Sequence, residues 1–271
     1  MSLLSIVTIT FNNFDELLHT VESVKDLKCC EHLIINGGKC QKTLEFLQSF
    51  SGTSISEPDQ GISDAFNKGI KLSQGSSIML LNSGDILLDQ TYPEQAMKIL
   101  YENSDLDFVH ADELYSDVLI GEFIMKPLRI QNNLTPNIGR GMPYRHQTMV
   151  VRRMVYDRIG SFDLKYVTSD YDWTCRWEVS HKYSQGKAFY FEGKPVTVMD
   201  GKGFSTVREW QVMIEAFKII RIHYPFRIVT NLTLLMRLMF FAGRELLKFL
   251  RLKSVLFYLK RRKYKGFAQS D

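Results

Sequence analysis

The feature that most constrains this fold is a regular alternation of short apolar runs and helix-period segments near the start of the chain. Leu4–Thr10 is a β-branched, apolar run, and Phe14–Val24 follows it with helical spacing. The alternation continues with further strand-like runs at His32–Asn36, Ser54–Glu57 and Ile78–Leu81. Strands that alternate with helices predict an α/β protein whose mostly parallel sheet is flanked by helices on both faces.

Polar and glycine-bearing loops follow these predicted strands. They are Phe11–Asn13, Asn36–Gly38, Asp59–Gly61 and Asn82–Asp85. The carboxyl ends of parallel strands meet at one edge of a sheet, and ligands of α/β proteins usually bind there. We therefore expect these loops to form one site.

The alternation loosens after Asp85. A helix near Pro93–Tyr101 and a strand at Phe108–Ala111 are predicted, and a long polar loop at 131–147 follows. Loops of that length inside a compact domain are usually functional or disordered. Helices and strands then resume and continue to about His223.

These patterns predict one large α/β domain and a basic amphipathic helical tail. The domain covers 1–223. The tail covers 224–271.

Composition and motifs exclude several classes of protein. The chain has 271 residues and a formal net charge of +4, with the positive charge concentrated beyond Pro225. Neither the G-x-x-x-x-G-K-[ST] loop nor the dinucleotide-binding glycine pattern is present, and no G-x-S-x-G nucleophile elbow occurs. The four cysteines lack the paired spacing of a zinc site, and we interpret them as structural thiols. They are Cys29, Cys30, Cys40 and Cys175.

The remaining chemistry lies in loop carboxylates, which are Asp59, Asp64, Asp85, Asp112, Asp170 and Asp172. Carboxylate oxygens suit Mg²⁺ or Mn²⁺, which take their other ligands from phosphate and water. Each acid taken singly is more often a turn or cap residue. The pattern D-x-D decides nothing, because it begins at both Asp105 and Asp170.

Taken in order, the blocks along the chain resemble those of family 2 glycosyltransferases, especially the bacterial branch that builds surface polysaccharides. The blocks are SIVTITFNN, IINGGKC, ISEPDQGISDAFNKGI, IMLLNSGD, YRHQTMVVRR with GSFD, and TSDYDWTCRW. The resemblance covers roughly Leu4 to Ser205. It implies a GT-A (Rossmann-like) fold, a nucleotide-diphosphate sugar donor, a divalent cation and inversion at the anomeric carbon. It also implies a nucleotide-binding half at about 1–112 and an acceptor half at about 113–223.

On the donor side, the resemblance assigns Thr8, Thr10 and Phe11 to the wall of the nucleoside pocket. Asn36 stands where the family usually has an Asp that holds the base, and its amide oxygen can still accept a base N–H. Asp59 and Lys68 resemble further nucleotide-binding positions.

On the metal and sugar side, Asp85 resembles the metal-binding acid of the family's D-x-D block. That block reads Asn-Ser-Gly-Asp here, so metal affinity would depend on the donor diphosphate. Asp112, His146 and Gln147 resemble donor-sugar and acceptor positions, although Asp112 could equally be a strand-end residue and a lone His is more often structural. Asp170 falls where the family places its catalytic base.

Asp172 follows Asp170 by two residues on the same predicted helix start, which points it away from Asp170. We interpret it as an acid that favours the helix dipole.

The sequence thus predicts an inverting, metal-dependent glycosyltransferase that uses Mn²⁺ or Mg²⁺. It would move a sugar from a nucleotide-diphosphate donor, with a UDP-sugar as the expected donor, to a hydroxyl group of a glycan or lipid-linked oligosaccharide. The alternative is a non-catalytic subunit that binds sugar nucleotides or acts as a membrane scaffold, which the departures at Asn36 and Asn82–Asp85 favour.

The tail is interrupted by charges too often to form the roughly 20-residue apolar span that crosses a bilayer. Helical spacing places Arg237, Arg244, Lys248 and Arg251 on one face, with apolar residues on the rest. A basic cluster, 260–263, follows. This pattern predicts an interfacial helix on anionic lipid, and the alternatives are a core-packing helix with a solvated basic edge or a homodimer contact.

No secretory signal pattern opens the sequence. We therefore expect a cytoplasmic protein that is peripheral on the inner face of the bacterial inner membrane, and we expect no nucleic-acid partner.

Overall fold

The computed structural model describes residues 3–28, 30–117, 122–126, 138–181, 187–199, 209–250 and 255. The strands are β1 (Leu4–Thr10), β2 (Cys30–Asn36), β3 (Thr53–Ser56), β4 (Ser77–Asn82), β5 (Ile86–Leu87), β6 (Leu106–Ala111), β7 (Glu113–Asp117), β8 (Glu122–Lys126), β9 (Val150–Arg152), β10 (Lys187–Phe191) and β11 (Thr197–Met199). The helices are α1 (Phe14–Val24), α2 (Gln41–Ser49), α3 (Ile62–Leu72), α4 (Tyr92–Glu102), α5 (Arg153–Ile159), α6 (Ser169–His181), α7 (Glu209–His223) and α8 (Ile228–Phe249).

The main sheet has seven strands in the order β10-β6-β9-β4-β1-β2-β3. The pairings among β1, β2, β3 and β4, and the pairing of β6 with β10, are parallel. Only β9 runs antiparallel to both of its neighbours, β4 and β6. The predicted α/β class and the mostly parallel, helix-flanked sheet are confirmed.

A smaller sheet, in the order β5-β11-β7-β8, stands beside the main one. It begins where β6 ends, because Asp112 separates β6 from β7. The backbone N–H of Val196 donates to the carbonyl of Asp112 at 3.0 Å and so brings β11 to this junction. The small sheet therefore flanks the end of β6.

The side chains of β1 alternate between two cores, as expected for a strand buried on both faces. Val7 and Ile9 pack in one core with the helix residue Phe66 and with Trp173. Leu4 and Ile6 pack in the other core with Tyr92 and other residues of α4. Because both faces of the sheet are covered, its carboxyl edge is the part left to form a site.

The sequence also predicts a capping box at the start of α1, because Asn13 is followed three residues later by Glu16, and this prediction is wrong. Asn13 stands at the N-cap of α1, but it makes no capping hydrogen bond, so the predicted capping box with Glu16 does not form. Instead the Asn13 Oδ1 accepts from the Thr10 hydroxyl at 2.8 Å and from the Phe11 backbone N–H at 3.0 Å. The side chain therefore folds back to fix the loop after β1.

A third core joins the C-terminal helices to the rest of the chain. Leu234 of α8 packs there with Ile219 and Ile220 of α7, with Tyr171 of α6 and with Ile138. The domain boundary predicted between 223 and 224 thus falls between two helices that share a core. None of the helices in the described ranges is long and apolar enough to cross a bilayer.

Of the predicted basic stripe of the tail, the structure describes the side chains of Arg237 and Arg244, and both are half-buried. Arg237 lies against Gly141, and Arg244 pairs with Glu245 at 3.2 Å and lies over the Phe241 ring. The side chains of Lys248 and Arg251, and the cluster 260–263, lie outside what the structure describes. At the α8 positions whose exposure is described, the exposed residues are instead all apolar or glycine. They include Ile228, Val229, Leu232, Leu235, Met236, Met239, Phe240, Leu246 and Phe249.

Three of the four cysteines, Cys30, Cys40 and Cys175, fall within the described residues. Cys30 and Cys40 are half-buried, and Cys175 is fully buried in the core under α8. Burial raises the pKa of the Cys175 thiol above its ordinary range, so this side chain is uncharged and packs as a small apolar group. Cys29 lies outside the described residues.

Candidate active site

The candidate site lies where β1, β2, β3, β4 and β6 end. The antiparallel strand β9 also contributes to this site, because it starts at the edge of the sheet where its neighbours β4 and β6 end. The turn His146–Thr148 that precedes β9 is therefore delivered to the ends of β4 and β6. Thr148 fixes the turn there, since its hydroxyl exchanges hydrogen bonds of 3.0 Å with the backbone N–H and carbonyl of Ala111.

Asn36 holds the loop that follows β2. Its side-chain amide donates to the Gly38 carbonyl at 3.1 Å and to the Ser56 hydroxyl at 2.8 Å, and its Oδ1 accepts from the Gly38 N–H at 3.0 Å. The side chain is completely buried. In this structure Asn36 therefore supports the turn and joins β2 to β3, with both amide hydrogens already used.

Asn12 was not singled out by the sequence and links two of the site loops. Its Oδ1 accepts from the backbone N–H groups of Lys39 at 2.7 Å and Cys40 at 3.0 Å. Its backbone has φ +56°, a conformation that asparagine tolerates better than most residues. A Cβ added to Gly38 would lie 2.6 Å from the Asn12 backbone nitrogen, so the two loops meet closely at this glycine.

Asp59 lies directly over the same glycine loop. A Cβ added to Gly37 would lie 1.6 Å from the Asp59 Oδ2, so any side chain at this position would force the Asp59 carboxylate to move. The other oxygen, Oδ1, accepts from the Gly61 N–H at 2.9 Å. The predicted nucleotide-binding loops after β1, β2 and β3 are thus packed together into one surface.

Lys68 organises this surface from α3. Its ammonium donates to the Pro58 carbonyl at 2.8 Å and lies 2.9 Å from Glu57 and 3.4 Å from Asp64. The Glu57 hydrogen bond, which outweighs burial, raises the pKa of Lys68 and keeps it charged. In this structure Lys68 holds the loop before α3 in place.

The three residues predicted to form the nucleoside wall occupy different environments. Thr8 is fully buried, and its hydroxyl lies 2.8 Å from the Nε2 of His32. Thr10 is also buried and holds Asn13. Phe11 is 65 % exposed at the edge of the sheet, so it alone of the three presents its side chain to a ligand.

Asp85 closes a tight turn at the end of β4. Its backbone N–H donates to the Asn82 carbonyl at 3.0 Å, and Gly84 adopts φ +102° within the turn. The Asp85 Oδ2 accepts from both the backbone N–H and the side-chain amide of Asn82, at 2.8 and 2.9 Å. The carboxylate is buried and held rigidly at the strand end.

His146 joins this turn to Asp170. Its Nε2 lies 3.4 Å from the side-chain nitrogen of Asn82, and its Nδ1 lies 3.5 Å from the Asp170 Oδ2. Asn82 thus contacts both Asp85 and His146, and His146 contacts Asp170. These contacts bring the predicted metal acid and the predicted base to the same side of the sheet edge.

Burial lowers the pKa of His146, while the facing Asp170 carboxylate opposes that shift. The imidazole is therefore neutral near pH 7, and one ring nitrogen carries the proton. The Asn82 amide faces Nε2 as a donor, which favours a proton on Nδ1, directed at Asp170. The Asp170 Oδ1 accepts from the Tyr171 N–H at 2.8 Å, and the side chain is 36 % exposed.

A small pocket lies beside His146 and Asp170. Apolar residues form most of its lining, which consists of Leu80, Met142, His146, Met149, Tyr156, Phe162, Asp170, Trp173 and Thr174. The Thr174 hydroxyl lies 3.5 Å from the Met142 sulfur, so the loop containing Met142 contacts α6 at this pocket.

Asp112 and Gln147 are both buried near the end of β6. The Tyr190 hydroxyl donates to the Asp112 Oδ2 at 2.9 Å, and burial raises the Tyr190 pKa so that the phenol stays protonated. The neighbouring Glu113 lies 3.5 Å from the Nε of Arg145, a contact that the sequence did not indicate.

Asp172 is a structural residue here. It is buried and pairs with Arg176 and with His223 of α7, both at 2.9 Å. The His223 hydrogen bond and the Arg176 charge lower the pKa of Asp172 against the opposing effect of burial. Asp172 does stand in the first turn of α6, as predicted, but it also fixes α6 to α7.

A divalent cation fits this site only with help from a ligand. Within the described residues, no three His, Cys, Asp or Glu side chains converge as a metal site. Asp85 is the acid placed at the strand end, and one carboxylate is a sufficient protein contribution when donor phosphate oxygens and water supply the rest.

Comparison with known proteins identifies a family and a shared fold. The family model described as glycosyl transferase family 2 matches residues 5–160. A PGL/p-HBAD biosynthesis glycosyltransferase of Mycobacterium bovis is 25% identical over 184 residues, which cover 64% of this chain and 68% of that protein.

Two solved structures share the fold. The crystal structure of Staphylococcus aureus TarS 1-349 in complex with UDP-GlcNAc has a TM-score of 0.64 at 12% identity, with 86% of this chain and 70% of that chain covered. The mannosyltransferase PcManGT from Pyrobaculum calidifontis, in complex with GDP-Man and Mn²⁺, has a TM-score of 0.60 at 12% identity, with coverages of 94% and 80%. Both are GT-A fold glycosyltransferases.

Proposed function

This chain belongs to glycosyl transferase family 2, and we propose that it moves a sugar from a nucleotide-diphosphate donor to a hydroxyl group of a glycan or lipid-linked oligosaccharide. A UDP-sugar is the donor that we propose. Polysaccharide biosynthesis is the process we assign to it. The observation that carries the proposal is the contact series Asp85–Asn82–His146–Asp170 at the carboxyl edge of the sheet. The two neighbours with bound UDP-GlcNAc and GDP-Man support a nucleotide-sugar donor.

Asp170 would act as the general base of an inverting displacement. Its partly exposed carboxylate takes the proton of the acceptor hydroxyl while that oxygen attacks the anomeric carbon. The new carbon–oxygen bond forms on the face opposite the leaving group. The bond between the anomeric carbon and the donor diphosphate breaks, and the diphosphate leaves with the electron pair.

His146 would position this base. Its Nδ1 faces one Asp170 oxygen while the Tyr171 N–H holds the other, so the carboxylate has a fixed orientation. A neutral imidazole suits this task, since a proton on Nδ1 orients Asp170 without a full positive charge that would weaken it as a base. The 3.5 Å separation is compatible with this role, because catalytic hydrogen bonds are often long before substrates bind.

Asp85 would hold a Mn²⁺ or Mg²⁺ ion together with the donor diphosphate. When bound, that ion supplies positive charge next to the departing diphosphate. The chain's own contribution is rigidity, because the double hydrogen bond from Asn82 fixes the Asp85 carboxylate before the donor arrives. The Mn²⁺ in the PcManGT complex supports a divalent cation here.

The nucleoside would lie on the joined loops after β1, β2 and β3. Phe11 offers an exposed aromatic ring, and Asp59 offers a carboxylate that lies over Gly37. Four further residues would shape this surface, because their polar groups are hydrogen-bonded to neighbouring residues. They are Thr8, Thr10, Asn36 and Lys68. Asp112, His146 and Gln147 stay assigned to the sugar side.

The outward apolar residues of α8 would hold the protein on a membrane. They continue onto α7 through Trp210, whose ring lies 4.6 Å from that of Phe241, and through Ile214 and Phe217. An exposed apolar area of this size marks an interaction site. We assign it to the inner face of the bacterial inner membrane, with lipid-linked acceptors within reach, and a homodimer contact is the competing assignment.

Donor hydrolysis tests the proposed function. Purified protein would be incubated with a panel of nucleotide sugars and Mn²⁺, and slow release of nucleoside diphosphate would be followed for each donor. We expect release from one donor class, most readily a UDP-sugar. Binding of nucleotide without any release, by wild type and by Asp170→Asn alike, would instead establish the non-catalytic subunit.

A further inference from the structure

Arg237 points from α8 toward the interior of the protein. A Cβ added to Gly141 would lie 3.2 Å from the Arg237 Nη1 and 3.4 Å from its Cζ. Gly141 adopts φ +121°, a conformation that favours glycine. The absence of a side chain at this position lets the guanidinium lie directly against the loop 138–142.

Within the described ranges, this guanidinium makes no ion pair and no hydrogen bond. Two other half-buried arginines bind protein groups: Arg176 contacts Asp172 at 2.9 Å, and Arg153 donates to the Gly75 carbonyl at 2.8 Å. Burial lowers the pKa of Arg237, and the nearby titratable group that opposes this shift is Tyr171. A partly buried cation without a carboxylate is costly to keep, which is the usual mark of a ligand site.

The position of Arg237 connects it to the acceptor side. Met142, next to Gly141, lines the pocket beside His146 and Asp170. Tyr171, next to Asp170, donates from its hydroxyl to the Ile138 carbonyl at 2.5 Å and so ties the same loop to α6. An anion bound at Arg237 would therefore lie beside the acceptor pocket.

The opposite side of α8 indicates which anion this is. Met239 is 67 % exposed and Leu246 is 57 % exposed, and both belong to the apolar residues that we assign to the membrane. An interfacial helix sinks its apolar face about 5–10 Å into the boundary of headgroups and acyl chains. The helix is about 10 Å across, so its inner side lies at the level of lipid phosphates.

We infer that Arg237 forms an anion subsite for the phosphate that joins a lipid-linked acceptor to its lipid. This inference rests on the proposed function and adds the chemical class of the acceptor's anchor. A guanidinium suits the role because it can donate two parallel hydrogen bonds to phosphate oxygens. Bound this way, the phosphate would hold the acceptor sugar next to Asp170.

The test uses a soluble lipid-phosphate mimic, hexyl phosphate, on the full-length protein by titration calorimetry. Hexanol and inorganic phosphate are the two matched probes. We expect hexyl phosphate to bind, Arg237→Gln to weaken it by about tenfold or more, and Arg221→Gln, which removes an exposed arginine of α7, to leave it unchanged. Equal loss in both variants would overturn the inference.

Two further outcomes of the titration would also overturn the inference. Displacement of hexyl phosphate by UDP would assign the binding to the donor site and overturn the subsite. Inorganic phosphate that binds as tightly as hexyl phosphate, with the same dependence on Arg237, would show a free-phosphate site and overturn the lipid assignment. Donor hydrolysis by wild type, measured on the same preparation, tests the proposed function separately.

Thermal unfolding of the ligand-free protein tests whether Arg237 has a purely structural role. Arg237→Met removes an unpaired, partly buried charge, so we expect an unfolding temperature equal to or above that of wild type. A clear fall in this temperature for both Arg237→Met and Arg237→Gln would mean that Arg237 serves packing, and it would overturn the subsite.

Discussion

The Nδ1 of His146 lies 3.5 Å from the Oδ2 of Asp170, although the two residues come from separate elements, the turn before β9 and the first turn of α6. On its other side the same imidazole contacts Asn82 at 3.4 Å, and Asn82 holds Asp85. The two acids with proposed roles in the reaction are thereby linked through two neutral side chains.

Replacing Asp170 with Asn should abolish sugar transfer, because the amide cannot accept the acceptor's proton. The expected loss in kcat is on the order of 10²–10⁴-fold, while nucleotide affinity stays nearly unchanged. Both are measured on one preparation, with the exposed Asp157→Asn of α5 as the matched control. A kcat within about tenfold of wild type would remove Asp170 from the role of base.

Replacing Asp85 with Ala should weaken donor binding in the presence of Mn²⁺. Asp85→Asn should do the same and is the sharper variant, since it keeps an acceptor for Asn82 and removes only the charge. Donor affinity is measured with and without Mn²⁺ for each protein. If the wild type binds donor equally well in both conditions, the metal-binding role of Asp85 is wrong.

His110 should make the fold sensitive to acid. Burial lowers its pKa from 6.5 to about 3, and its Nδ1 has no hydrogen-bond partner among the described residues. Below about pH 6.5 the unfolded chain binds a proton on this imidazole while the folded chain does not, so the free energy of unfolding falls as pH falls. Between pH 7 and pH 5 this loss is about 2 kcal/mol.

His110→Phe should remove that loss, and urea unfolding at pH 7, 6 and 5 measures it. The variant's free energy of unfolding should fall less than that of wild type over this range, whereas the exposed His19→Gln should follow wild type. Parallel pH curves for His110→Phe and wild type would contradict the assignment.

Gly37→Ala should destabilise the protein because its new methyl group meets the Asp59 carboxylate. We expect a loss of about 1–3 kcal/mol in the free energy of unfolding. In an Asp59→Ala background the same substitution should cost close to nothing, so a double-mutant cycle isolates the contact. Gly243→Ala, which meets no neighbouring atom, is the control and should be neutral or stabilising. Equal losses in both backgrounds would refute the contact.

Phe240→Asp should release the protein from vesicles that contain anionic lipid, since it places a charge within the exposed apolar residues of α8. Sedimentation with vesicles at low salt measures the bound fraction, and Tyr101→Asp, at an 84 % exposed position on α4, is the control. Substitution is preferable to truncation after His223, because truncation would also remove Leu234 from the core. If wild-type protein does not bind such vesicles, membrane binding is refuted. Concentration-dependent dimers that Phe240→Asp dissociates would support a homodimer contact.

The sequence by itself determined the class of fold and predicted the place of the candidate site. Alternating strand and helix periods are local properties of the chain, and they fixed a mostly parallel sheet with polar loops at its carboxyl edge. The order of the motifs then identified the family, which the match over residues 5–160 confirms. The ranges predicted for β1 and α1 agree with the structure, because an apolar run and helical spacing are local signals.

Tertiary structure alone decided which side chains meet. The antiparallel entry of β9 brings His146 to Asn82 and Asp170, and nothing in the local pattern predicts a reversed strand in a parallel sheet. Likewise, helical spacing gave α8 a basic stripe and apolar faces but could not say which of them faces inward. The packing of Leu234 against α7 turned Arg237 to the interior and the apolar residues outward, since the orientation of a helix follows from its partners and not from its own period.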